Sequence, residues 1–181
     1  MLGDACARLQ GSGEGTDKSV VVPLSRTQFF DPTLFAALRT VLLKSKTDPS
    51  RLELGIDERA VLSDIDAAGE VLTRLREAGV RTSLRGFGAL TSEQLRALPV
   101  TAVTVDFWNS RRDERMEAYV AESVRAARAA GLSVTASRAE TPDEVEFARS
   151  LGCERLTGVL PSPAAAEREA AAETYAVPAV A

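Results

Sequence analysis

No histidine occurs anywhere in the chain, which excludes every mechanism that needs an imidazole as base, nucleophile or zinc ligand. Cysteine is almost as scarce: Cys6 and Cys153 are the only two, with neither metal-ligand spacing nor a disulfide framework, so free thiols in a reducing cytoplasm are expected. Lys18, Lys44 and Lys46 are the only three lysines among 22 basic residues, and the formal net charge is -4. The chain therefore lacks the basic footprint of general nucleic-acid binding, and no nucleic-acid partner is expected. Residues 1–19 carry Asp4, Glu14 and Asp17 where a continuous apolar core would have to run, so neither a signal peptide nor a membrane span is expected and the protein reads as cytoplasmic.

What is present is an ordinary globular composition, 45% hydrophobic and 27% charged over 181 residues, enough for one folded domain. Short β-branched or apolar runs alternate with longer helical patterns, the rhythm of a parallel sheet built from βα units. The strand candidates are Ser19 to Leu24, Arg51 to Ile56, Arg81 to Leu84, Thr101 to Phe107, Ser133 to Ala136 and Arg155 to Leu160. Between them apolar residues recur three or four apart: Leu34, Leu38, Val41 and Leu42; Val61, Ile65, Val71, Leu72 and Leu75; Met116, Val120, Val124 and Ala127; Val145, Ala148 and Leu151. Thr141-Pro142-Asp143-Glu144 is a helix start. Gly79, Gly131 and Gly152 each stand just past a helical run, where a left-handed cap is wanted. Residues 10–18 read as a loop after a short first helix; their three glycines are not followed by the Gly-Lys-Ser/Thr and helix of a phosphate loop. The alanine-rich stretch 164–181 is expected to be a C-terminal helix or tail.

Six segments together resemble one known family. VVVPLS at 20–25, FFDPTLFAALRTVLLKSKTDPSRLELGIDE at 29–58, LRGFGAL at 84–90, LPVTAVTVD at 98–106, VTASRAET at 134–141 and LGCERLTGVL at 151–160 resemble, in order and in spacing apart from a loop two residues shorter after Phe87 and Gly88, the EAL-type cyclic di-GMP phosphodiesterase motifs VNLS, LELEITE, LDDFGTG, LPVDALKID, VIAEGVET and LGCDxxQGYL. The resemblance implies a degenerate, shortened EAL-like domain over 1–163. Its fold would be an α/β, incomplete TIM-like βα barrel of about six parallel strands, lacking the family's first two strands and the Glu-Ala-Leu segment. It also places the site at the carboxyl ends of the strands, where metals activate a water against the phosphodiester.

Holding two divalent cations takes clustered oxygen ligands, mostly carboxylates. At the positions where the resemblance implies them stand Pro23 for Asn, Gly55 for Glu, Arg85 and Gly86 for two Asp, and Ser137 for Glu; two further motif positions are also replaced, Thr104 for Lys and Thr157 for Gln. Asp106 and Glu140 are kept. No metal and no cofactor are expected, and added Mg²⁺, Mn²⁺ or Ca²⁺ should not raise thermal stability. Asp106 and Glu140 remain open as an acid–base pair; the plainer account has Arg85 and Arg138 pairing with Asp106, Glu140 or Asp57. Phe107, Trp108, Arg111 and Arg112 read either as an interface anchor or as a cap on the core.

The reading that follows is a catalytically inactive regulatory protein of cyclic di-GMP signalling that acts through protein contacts, not an enzyme. A sensor binding cyclic di-GMP or another phosphate ligand through Arg85, Arg111 and Arg138 is the alternative, and a weak hydrolase using Asp106 and Glu140 the remainder. The candidate ligand or partner residues are Arg85, Asp106, Trp108, Arg111, Arg138 and Glu140. Open sheet edges at the first and last strands would invite a protein partner or a second copy of the chain, a homodimer first; no membrane partner is expected.

Overall fold

The computed structural model describes residues 19–157. They divide into two compact units: in the first are residues 19–85 and 96–101, in the second 86–95 and 102–157.

The first unit runs β1 (Val20–Leu24), α1 (Arg26–Phe29), α2 (Leu34–Ser45), β2 (Leu52–Asp57), α3 (Glu58–Ser63), α4 (Ile65–Glu77) and β3 (Arg81–Arg85). β1 pairs with β2 and β2 with β3, all parallel, in a register that sets Pro23 beside Gly55 and Asp57 beside Arg85. β2 is buried from Leu52 to Ile56, as a strand covered on both faces must be. Leu72 and Leu75 of α4 are fully buried; their spacing of three puts both on one stripe, and helix packing follows from it. Truncating Leu72 to Ala costs about 2–5 kcal/mol on that account.

A short helix, α5 (Ser92–Ala97), has residues assigned to each of the units. The second unit continues with β4 (Ala102–Asp106), α6 (Glu114–Ala129), β5 (Ser133–Ser137), α7 (Pro142–Ser150) and β6 (Arg155–Thr157). β5 pairs parallel with β4 and with β6. Val120, Val124 and Ala127 of α6 are fully buried, as are Val134 and Ala136 of β5.

The α/β class and the six parallel strands are therefore as expected, and each strand bound agrees within about one residue where it can be compared. Gly79, Gly131 and Gly152 have φ of 76°, 77° and 76°, the left-handed cap that a Cβ would penalise. Thr141 and Glu144 form the expected capping box. Residues 158–160 of the sixth strand candidate, the first helix with Cys6, the loop 10–18 and the tail 164–181 lie outside the described residues. No described helix is long and apolar enough to cross a membrane.

Candidate functional site

In the first unit the carboxyl ends of three parallel strands deliver side chains to one cleft. After β1, Ser25 caps α1: its hydroxyl accepts from Gln28 N at 3.2 Å while Gln28 Oε1 accepts from Ser25 N at 3.0 Å, so the next residue, Arg26, is placed at the strand mouth. After β2, Asp57 accepts from Arg59 N at 2.9 Å and starts α3, which places Arg59 likewise. β3 ends on Arg85. The cleft, about 530 Å³, is lined by Pro23, Ser25, Arg26, Asp57, Arg59 and Arg85. Three arginines and one carboxylate thus line the same cleft. Arg26 Nε donates to Ser63 Oγ at 2.9 Å. Among the described residues neither Arg59 nor Arg85 makes an ion pair. The expected pairing of Arg85 with a carboxylate is therefore corrected: its stem lies over β2, where a Cβ on Gly55 would come within 2.8 Å of Arg85 Cδ.

In the second unit the same residue types are arranged differently. Asp106, at the end of β4, accepts from Trp108 N at 3.0 Å and is gripped by the Arg138 fork, Nε to Oδ1 at 3.1 Å and a second bond from the terminal nitrogen to Oδ2. Arg138 reaches Asp106 from a left-handed backbone, φ 55°, at the position where the family motif carries glycine. The bonds to Asp106 raise the Arg138 pKa above its ordinary value, and the charge of Glu140 adds to this. The Arg138 guanidinium also lies 5.1 Å from the Trp108 ring centroid, a cation–π contact. Asp106, Trp108, Arg138 and Glu140 are thus brought together. Asp106 is held as an arginine partner, so the acid–base pairing with Glu140 finds no geometric support here. Arg111 turns elsewhere, 2.6 Å from Glu117 and 5.1 Å from the Phe147 ring. The aromatic pair splits: Phe107 is buried against Phe147 with centroids 5.9 Å apart, whereas Trp108 is 52% exposed.

The EAL domain model matches residues 1–164 of this chain. The chain belongs to the EAL domain family. It is 32% identical over 174 residues to the bifunctional diguanylate cyclase/cyclic di-GMP phosphodiesterase MucR of Pseudomonas aeruginosa, covering 91% of this chain and 25% of MucR. To the cyclic di-GMP phosphodiesterase NbdA of the same organism it is 36% identical over 126 residues, covering 65% of this chain and 16% of NbdA. The solved PaMucR phosphodiesterase in complex with c-di-GMP superposes with a TM-score of 0.82 at 32% identity, over 87% of this chain and 66% of that one. The expected TIM-like EAL fold stands on that likeness. The chain spans a quarter or less of the full length of these two relatives.

These findings overturn the expectation that this EAL domain is no enzyme. Relatives at 32% and 36% identity are named phosphodiesterases, and the solved structure that superposes is itself called one. The two divalent ions implied by the resemblance do not, however, fit the residues described. Among them no group of three or more His, Cys, Asp or Glu converges, and the space beside Gly55 is taken by the Arg85 stem. Arg26 and Arg59 are cleft residues that sequence reasoning missed. Their signal was position, since each stands within two residues of a strand's carboxyl end, where βα folds place their sites.

Proposed function

We propose that this EAL domain works in cyclic di-GMP signalling by taking the dinucleotide at the carboxyl ends of its strands. The cleft between β1, β2 and β3 carries the reading. Its roughly 530 Å³ lie within the range of small-ligand sites, and its three arginines suit a ligand with two phosphodiesters, because a guanidinium fork matches phosphate oxygens in pairs. Kinship with MucR, whose solved phosphodiesterase holds c-di-GMP, supports the same ligand. Calorimetry with cyclic di-GMP tests this: saturable heat with one site is expected, and no heat at millimolar ligand would sink the reading. Chromatography after incubation with Mg²⁺ or Mn²⁺ measures turnover in parallel, and formation of a linear product would assign the relatives' reaction to this chain.

A second role rests on Trp108. An exposed tryptophan stacked by an arginine is a common interface anchor, so we also propose a protein partner, a second copy included, at the Trp108–Arg138 corner. Light scattering and pull-down with Trp108→Ala test it; assembly that survives the substitution unchanged removes this role.

A further inference from the structure

Three observations meet at Arg85. Glycine at position 55 leaves room for the Arg85 stem, since an added Cβ would lie 2.8 Å from Arg85 Cδ and 3.5 Å from Val21 Cγ1. The residue is exposed at the end of β3 and, among the described residues, has no carboxylate partner. Asp57, its register neighbour on β2, turns one carboxylate oxygen to the amide of Arg59, and Arg59 adds a second unpaired guanidinium to the same cleft.

We infer that Arg85, laid over Gly55, is a phosphate-binding residue whose guanidinium supplies the positive charge for a phosphodiester in this cleft, with no divalent ion needed for binding. Sign and geometry both argue for it. A cation site needs converging oxygen ligands, whereas this cleft is lined by three arginines and a single carboxylate residue, Asp57. Guanidinium nitrogens donate in a fixed fork and bind phosphate oxygens by charge-assisted bonds. Gly55 acts through Arg85: by having no side chain it lets the stem lie along β2 and fixes where the fork is presented. Arg59, at the start of α3, is the second donor. The inference uses the cyclic di-GMP reading for the identity of the ligand only; the chemistry applies to any phosphate ester of suitable size.

The test is calorimetry with cyclic di-GMP at low salt, in EDTA and then in millimolar Mg²⁺, on the wild type, Arg85→Ala, Arg85→Lys and Arg125→Ala. Arg125 is exposed on α6 and paired with Glu122, so its loss controls for one positive charge. The expected result is equal affinity in EDTA and Mg²⁺ and a weakening of about tenfold or more in Arg85→Ala. Arg85→Lys should recover part of that loss, and Arg125→Ala should match the wild type. Binding that appears only with Mg²⁺, or an Arg85→Ala protein that binds like the wild type, overturns the inference and leaves the cyclic di-GMP reading intact. If cyclic di-GMP does not bind under either condition, that reading fails, and a pyrophosphate titration in EDTA decides the inference by itself. Pyrophosphate binding that disappears in Arg85→Ala upholds it, and no pyrophosphate binding overturns it.

Discussion

At the end of β3 an arginine lies over a glycine with no ion-pair partner among the described residues; at the end of β5 an arginine is locked in a fork by an aspartate. Both regions set an arginine and an aspartate on neighbouring or successive strand ends, and each aspartate accepts a backbone N–H two residues on. The backbone separates the outcomes. At the end of β5 the left-handed residue is the arginine itself, Arg138 at φ 55°, whereas at the end of β3 it is the glycine after the arginine, Gly86 at φ 68°. A left-handed residue re-aims its own side chain, and Arg138 is thereby turned onto Asp106. Arg85 keeps the direction of its strand and runs over Gly55. One region neutralises its charge internally; in the other Arg85 has no ion-pair partner among the described residues.

The strongest way to break this contrast is to close the open side. Gly55→Glu places a carboxylate under the Arg85 stem, and cyclic di-GMP affinity should fall by more than about tenfold; unchanged affinity by calorimetry would mean that Arg85 does not hold the ligand. The next test compares caps. Glu144 is buried and accepts from Glu140 N at 2.9 Å and Thr141 N at 3.1 Å. Glu144→Ala should therefore cost roughly 1–2 kcal/mol in urea unfolding, since the backbone N–H groups of two exposed residues lose their buried acceptor and the capping box is broken.

On the open side Asp57→Ala removes an exposed cap for about 1 kcal/mol, and at the same time it raises anion affinity by deleting the one carboxylate of the cleft. A larger stability loss at Asp57 than at Glu144 would reverse the comparison. Gly55→Ala is gentler, because an exposed arginine stem can shift to admit a methyl group: stability should change by less than about 1 kcal/mol. The loss of anion affinity should be visible in wild-type Arg85 and absent in an Arg85→Ala background, the signature of coupled residues.

The smallest effect concerns Cys153, whose thiol is pushed up to about 12 by burial. Because the neutral form is favoured in the folded state, its contribution to stability is complete below the ordinary thiol pKa of 9.0 and is lost as pH rises from there toward about 12. In a Cys6→Ser background, disulfide-exchange reagent at pH 8 should label the native protein far more slowly than the unfolded one. Equal rates would show an accessible thiolate.

Much of the fold could be read before any coordinates. Apolar spacing located Leu72, Leu75, Val120 and Val124, because one-sided burial of a helix imposes a period of 3.6. The Thr141–Glu144 box and the three helix-ending glycines are local chemistry, settled within four residues. The site was legible only in part. Arg85, Asp106, Trp108, Arg138 and Glu140 were singled out, but the carboxylate expected for Arg85 was wrong, Arg111 proved to be committed to Glu117 and Phe147, and Arg26 and Arg59 went unnoticed.

The sequence by itself determined the α/β alternation, the strand ends at which chemistry can sit, and the family, since periodicity, caps and collinear motifs are all properties of neighbouring residues. Only the tertiary structure decided which charges meet. Whether Asp57 or Asp106 neutralises an arginine depends on strand register and on one backbone dihedral near Gly86 or Arg138, and whether Gly55 is an empty position or a bed for Arg85 depends on a side chain 30 residues away in the chain. Those are contacts across strands, and no local pattern encodes them.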